Sequence, residues 1–394
     1  MKVLVLSHKP PYPIVDGGCL AMSRFLLDLS ETSSVSHIDY MTLSTHKHPF
    51  NPNAFQEVNL ANVTFQGIEI DTKLKVIPAL FCLLTKRSYH TKRFLDSKVT
   101  SLLKEKISNQ NYDAVIFESL YAAIYTAEIR TFFKGKICYR SHNLEYRIWE
   151  DLARNEQKPL KSWYIGQLAK TLKKEEITIW NQIDCIFSIS KEDAEIMKQG
   201  THKTVHYLSS SMPNHERAIQ WNSNKICFLG AFDWEPNMEA IKWFIQEVFP
   251  ALQEKFPKLE FHIAGRKSEL IPEEFRQENV VIHGFVEDPL KFIAKNGLFV
   301  ASLQSGSGIK MKVLEAMSIG APCVLTTKAA EGLTVQEMMP VHNNKESYIA
   351  DIIELLNDES KQKIRGEIGK EHIQSNFSSQ QVKEILAKEL GSKA

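Results

Sequence analysis

Hydrophobic and polar positions fall into a repeating rhythm. Short apolar runs occur at residues 2–7, 38–43, 63–70, 114–117, 136–139, 185–189 and 204–207. Most are separated by stretches with apolar residues at helical spacing, such as Leu20, Phe25, Leu26 and Leu29 within 19–30. Continuous apolar runs of this length fit strands buried on both faces, and strands alternating with helices predict a parallel sheet flanked by helices. At 209–224 the chain turns polar and rich in turn-forming residues, which predicts a linker. The rhythm then restarts. Strands are expected at 226–229, 259–264, 280–283, 297–301 and 322–325, and helices over 237–255, 288–295, 309–319, 345–357 and 359–374. A last helix is expected at 378–391, and no solenoid-like period is present.

The pattern predicts an α/β protein of two parallel-sheet domains. The first covers 1–210 and the second 218–375, with a C-terminal helix (376–394) packing back on the first. Open sheets of this kind bind ligands beyond the C-terminal ends of their strands, so the sites are expected in a cleft between the two domains. A length of 394 residues agrees with two domains at about 150 residues each. The net charge of +1 gives no global attraction to nucleic acid, and none is expected as a partner. The six cysteines include no C-x-x-C pair and are expected to be reduced, buried thiols. The apolar run at 3–6 is too short for a signal peptide, and no stretch is long enough to span a bilayer. A cytoplasmic protein is expected, on the inner face of the membrane if it meets one.

The segment 305–333 carries the most chemistry. It follows a predicted strand, and Gly306, Ser307 and Gly308 let backbone approach a ligand where a helix is expected to open. Helix N-termini present unpaired N–H groups and partial positive charge, which suits a phosphate. Lys310 and Lys312 would stand in the first turn, an unfavourable end for cations unless an anion is bound. Glu315 comes about two turns later, ~10 Å along the axis, close to the span from a diphosphate to a ribose. Glu331 and Gly332 lie just past the next strand. A solvated Lys/Glu helix face with a glycine cap would need no ligand.

This segment resembles the nucleotide-sugar region of retaining glycosyltransferases of the GT-B fold, the large family 4 group. The residues carrying the likeness are Glu315, Ala316, Met317, Gly320, Pro322, Val324, Glu331 and Gly332. Residues 228–237, Phe-Leu-Gly-Ala-Phe-Asp-Trp-Glu-Pro-Asn, resemble the same family's second-domain opening. The resemblance implies two Rossmann-like domains facing each other across a cleft. It implies that Glu315 holds the ribose, and that the backbone at Ser307, Gly308 and Ile309 and at Gly332 and Leu333 faces the sugar or its phosphates. The family's first glutamate falls on Ser307, which can hydrogen-bond a sugar hydroxyl but supplies no charge. The Arg and Lys that many relatives carry after the glycine at 230 are absent. Lys310, Lys312 and Arg266 are then the candidate cations for the diphosphate.

On the other side, Gly17 and Gly18 open a predicted helix after the first strand, either as a turn or as a second anion site. His142 follows the strand at 136–139 and resembles the family's histidine beside the donor sugar. Asn143 and Glu145 could orient an acceptor, though Glu145 is equally a first-turn helix acid. The stretches 75–93 and 158–174 are basic and contain no acid; they read as solvated helix faces or as docking surfaces for an anionic membrane.

The expected reaction is transfer of a sugar from a nucleoside-diphosphate sugar to a glycan or lipid-linked acceptor, with retention of configuration, in cell-surface polysaccharide synthesis. No Asp-x-Asp motif is present, so no metal or other cofactor is expected. Two alternatives stay open: a GT-B sugar-nucleotide epimerase, which needs no acceptor, and a non-catalytic nucleotide-sugar-binding protein.

Overall fold

The computed structural model describes residues 1–391 apart from 57, 59, 74, 76–81, 83–84, 86–87, 214–215, 222–223 and 307. The chain forms two compact units. The first comprises Met1–Ile14, Gly18–Ser210 and Gln380–Ala394, and the second Val15–Gly17 with Ser211–Ser379.

The first unit is built on seven parallel strands: β1 (Lys2–Ser7), β2 (His37–Ser44), β3 (Val63–Glu69), β4 (Ala114–Glu118), β5 (Lys136–Ser141), β6 (Cys185–Ser188) and β7 (Thr204–Tyr207). Their order across the sheet is β3-β2-β1-β4-β5-β6-β7. Every residue of β4, β5 and β6 is buried, as expected for strands covered on both faces. One face packs Leu4, Leu6, Val115, Phe117, Ile137 and Tyr139 against helices that include Pro159–Trp180. The other packs Val3, Val5, Ile116, Cys138 and Phe187 against the helix Gly17–Ser30 and against Val382, Leu386 and Leu390 of the C-terminal helix Ser379–Gly391. That last helix is also held by charge. Glu389 lies 2.6 Å from the Lys136 ammonium and 2.8 Å from His206 Nε2, and Lys383 reaches Glu31 at 3.1 Å.

The second unit has six parallel strands: β8 (Lys225–Leu229), β9 (Glu260–Ala264), β10 (Val280–Ile282), β11 (Leu298–Ala301), β12 (Cys323–Thr326) and the two-residue β13 (Val341–His342), in the order β10-β9-β8-β11-β12-β13. In both sheets the order reverses beside the first strand, between β1 and β4 and between β8 and β11. That reversal places loops from neighbouring strands around a shared crevice.

Two local features differ from the sequence reading. The helix expected over 237–255 is interrupted: α-helices Glu235–Trp243 and Phe249–Lys255 flank a π-helical turn at Phe244–Val248. Pro250 explains the interruption, because it has no N–H to donate and its ring crowds the carbonyl one turn back. The helix expected over 309–319 is the shorter Met311–Ser318. Gly308 has φ 74° and Lys310 is extended, so the chain is still turning when it reaches Met311. All six cysteines are buried thiols. Among the described residues, no helix is long and apolar enough to cross a membrane.

Candidate functional site

In the first unit, the C-terminal ends of three adjacent central strands bring charged side chains together. His8 follows β1, Glu118 ends β4, and Arg140 and Ser141 end β5 just before His142. The Glu118 carboxylate is fully buried and forms an ion pair with the Arg140 guanidinium. Its Oε1 also lies 2.7 Å from His142 Nε2. Arg140 in turn donates to Ala21 O at 3.3 Å and stacks 4.5 Å from the Phe25 ring, both on the helix that Gly17 and Gly18 begin. Burial alone would raise the Glu118 pKa, but Arg140 and His142 outweigh it and hold the carboxyl below its usual range. His142 is lowered, first by burial and further by Arg140, against the opposing pull of Glu118. Ser119, directly after β4, has φ 87°, a strained value for a non-glycine residue.

The loop then turns into the helix Glu145–Asn155. Glu145 accepts a 2.9 Å hydrogen bond from Tyr121 Oη, and the Tyr121 ring lies 5.9 Å from that of His8. Burial pushes the Glu145 carboxyl up to about 7, despite hydrogen bonds from Tyr121 and Asn143. Beside it, fully buried Glu176 accepts the Tyr146 backbone N–H at 3.2 Å, and burial together with the nearby Glu145 drives its pKa well up. Oε2 of Glu118 and Oε1 of Glu176 are buried without a hydrogen-bond partner among the described residues. His142, Asn143 and Glu145 thus meet in one cluster. Its other members, Glu118, Arg140, Tyr121 and Glu176, were not read from the sequence. The only available signal was an acid and an arginine at the ends of otherwise apolar strands.

In the second unit, the loops after β8, β9, β11 and β12 converge. Gly332 has φ 79°, and a Cβ there would lie 2.7 Å from Ile309, so the turn at Glu331-Gly332 rests directly on the glycine loop. Lys310 spans the two. Its ammonium donates to Gly308 O and lies 3.4 Å from Glu331, which Lys328 also approaches at 3.4 Å. Glu315 is half-buried in the second turn of the helix Met311–Ser318, about 6 Å beyond its first residue. Leu333 is buried, and its carbonyl accepts from His372 Nε2 at 2.6 Å.

Two candidate cations already have protein partners. Lys312 donates to Asn237 Oδ1 at 2.6 Å with its ammonium 4.0 Å from the Phe228 ring centre, and burial together with Lys310 pushes its pKa well down. Phe228 and Asn237 both belong to the segment singled out in the sequence, and their local role is to hold Lys312. Arg266 pairs with Asp233 at 3.0 Å, and its carbonyl accepts the Phe232 N–H at 2.8 Å. A Cβ on Gly265 would lie 1.7 Å from Gly230 O, so the loops after β8 and β9 touch backbone to backbone. Ser307 lies outside the described residues, as does much of the basic stretch at 75–93.

The architecture is that of known GT-B glycosyltransferases. A sucrose-phosphate synthase from Thermosynechococcus elongatus aligns with a TM-score of 0.67 at 14% identity, over 98% of this chain and 98% of that one. An S. aureus TarM mutant, in complex with Fondaparinux, alpha-GlcNAc-glycerol and UDP, aligns with a TM-score of 0.67 at 12% identity, over 99% and 100%. Anabaena HepE in complex with UDP gives 0.63 at 11% identity, over 99% and 100%. At such identities the likeness establishes the fold, which is GT-B.

Residues 223–358, the larger part of the second unit, match the profile of the family Glycosyl transferases group 1. Along its whole length it is also similar to an uncharacterized 44.6 kDa protein in the cps region of Klebsiella pneumoniae, at 24% identity over 98% of this chain and 99% of the relative.

Proposed function

We propose that this protein is a retaining, family 4-type glycosyltransferase that moves a sugar from a uridine-diphosphate sugar to a glycan or lipid-linked glycan in cell-surface polysaccharide synthesis. The observation that carries the reading is the contact between the Gly308–Lys310 loop and the Glu331-Gly332 turn beside the helix that bears Glu315. Backbone N–H groups and Lys310 face the diphosphate, and Glu315 accepts hydrogen bonds from the ribose hydroxyls. UDP in the TarM and HepE complexes supports uridine as the base. The relative in a cps region supports the polysaccharide pathway.

In the first unit, His142 meets the donor sugar, and Asn143 and Glu145 meet the acceptor. The bond from the anomeric carbon to the phosphate oxygen breaks, and the acceptor oxygen bonds to the same face of that carbon. The acceptor proton passes to the departing phosphate, whose charge Lys310 and the surrounding N–H groups stabilise.

The test is calorimetric binding of UDP, GDP, ADP and dTDP to the wild type and to Glu315→Ala. UDP is expected to bind selectively, and the variant about tenfold to a hundredfold more weakly, since charged hydrogen bonds contribute about 1.5–3 kcal/mol. Equal UDP affinity in the two proteins would remove the ribose assignment. Turnover of a UDP-sugar with no acceptor present would point to epimerisation instead.

A further inference from the structure

The helices Glu145–Asn155 and Pro159–Trp180 form a hairpin, tied near its tip by Ser162 Oγ donating to Ala153 O at 2.6 Å. Burial on the second helix begins at Leu168; the residues before it are exposed or half-buried. On those turns Leu160 is 85% exposed, Trp163 61% and Tyr164 38%, and Leu152 on the first helix is 48% exposed. Leu160, Trp163 and Tyr164 are spaced three and four residues apart, so they share one helix face. A Cβ added to Gly166 would meet nothing within 4 Å, so nothing covers this part of the helix.

The charge around this patch is positive on balance. Residues 145–174 contain seven Lys or Arg and four acids. Of the acids, Glu145 is enclosed in the cluster described above. Glu156 pairs with Lys161, Glu150 lies 3.5 Å from Lys173, and Asp151 lies 3.3 Å from Arg154. From Lys158 through Lys174 there is no acid at all.

We propose that this hairpin tip docks the protein on the surface of an anionic lipid bilayer. A convex tip bearing a leucine, a tryptophan and a tyrosine suits the headgroup region, where aromatic rings with a polar atom partition favourably. Lysines around it can lay their stems along the apolar surface while their ammonium groups reach lipid phosphates. The depth is interfacial, since no described helix can cross a membrane. The Glu145–Asn155 helix runs from the acceptor-side loop toward this tip, so the two are about 15 Å apart along its axis. Docking at the tip therefore holds that loop within reach of a headgroup-borne substrate. The inference itself does not depend on the sugar-transfer reading.

The test is flotation with vesicles of phosphatidylcholine alone or mixed with phosphatidylglycerol. The wild type is expected to float with the mixed vesicles and to be released by salt. Leu160→Ser with Trp163→Ser is expected to cut the bound fraction at least about tenfold, as apolar burial contributes much of such binding. Lys158→Glu with Lys161→Glu is expected to remove the preference for phosphatidylglycerol. Both variants should keep the wild-type melting temperature and UDP affinity.

A second measurement covers the case in which the apolar variant does not fold. Lipids brominated on their acyl chains should quench wild-type tryptophan emission, and Trp163→Phe should lose that quenching. Wild-type protein that ignores mixed vesicles, or quenching unchanged in Trp163→Phe, would overturn the proposal. So would a wild-type dimer that the apolar variant converts to monomer, which would assign the patch to a second copy of this chain.

Discussion

The loops at the strand ends of the two units hold their charges in opposite ways. In the first unit, Glu118, Arg140 and His142 are sealed into a network with short contacts and almost no solvent exposure. In the second, Lys328 and Glu331 are about one-third exposed, and Lys328 and the more buried Lys310 each stand 3.4 Å from Glu331, longer than a good ionic hydrogen bond. A buried network is set during folding and cannot exchange partners without leaving a charge stranded. A loose, half-wet one can trade a carboxylate for a phosphate at small cost. The first arrangement suits fixed positioning of groups around a reacting centre, and the second suits reversible capture of an anionic ligand.

The largest expected effect tests the sealed network. Glu118→Leu strands the Arg140 charge and is expected to cost about 3–5 kcal/mol in urea unfolding, with much of that recovered when Arg140→Met is added. Stability unchanged by Glu118→Leu would mean the network is no firmer than a surface pair.

Next, Lys310→Ala and Lys328→Ala are each expected to weaken UDP binding about tenfold, equivalent to about 1.4 kcal/mol. Their unfolding free energies should stay within about 0.5 kcal/mol of wild type. A large loss of stability would erase the contrast between the units.

Acidity divides the first unit further. Glu145 has its folded pKa raised from 4.5 to about 7, so it favours the folded state while protonated, and that contribution fades as pH rises from 4.5 through 7. Glu118 is lowered, so its contribution is present above the ordinary carboxylate pKa and fades as pH falls through its lower folded value. Melting temperatures measured across pH 4–8 should therefore show a decline toward neutrality that Glu145→Gln removes.

The smallest effect concerns Arg266. Its pair with Asp233 is about one-third exposed, and Arg266→Ala is expected to change stability by less than about 1 kcal/mol. Weaker UDP binding in that variant would bring Arg266 into the donor site, whereas unchanged binding would leave it as a tie between two loops.

Much of the fold was legible because buried parallel strands announce themselves as unbroken apolar runs. The two-residue β13, the late start of the helix Met311–Ser318 and the widened turn at Phe244–Val248 escaped: the first is too short to carry a pattern, the second follows a turn still in progress at Lys310, and the third depends on a proline's missing donor. The second unit's loops were legible because one contiguous segment carries the glycines, lysines and glutamates. The first unit's cluster was only half visible. His142, Asn143 and Glu145 sit on one loop, but Glu118 and Tyr121 come from a neighbouring strand and the turn after it, and strand order cannot be read from sequence. The partners of Lys312 and Arg266 were hidden for the same reason: Asn237 and Asp233 lie 75 and 33 residues away.

The return of the helix Ser379–Gly391 to the first sheet sets a timetable for biosynthesis. Val382, Leu386 and Leu390 fill a core whose other walls are made from residues between Val3 and Leu208. As the polypeptide leaves the ribosome, those walls wait with an apolar face uncovered while the entire second unit is translated. The second unit, whose residues lie between, can close on itself first. The earliest-made sheet is therefore the last to be sealed, and for that interval its bare apolar face is open to aggregation.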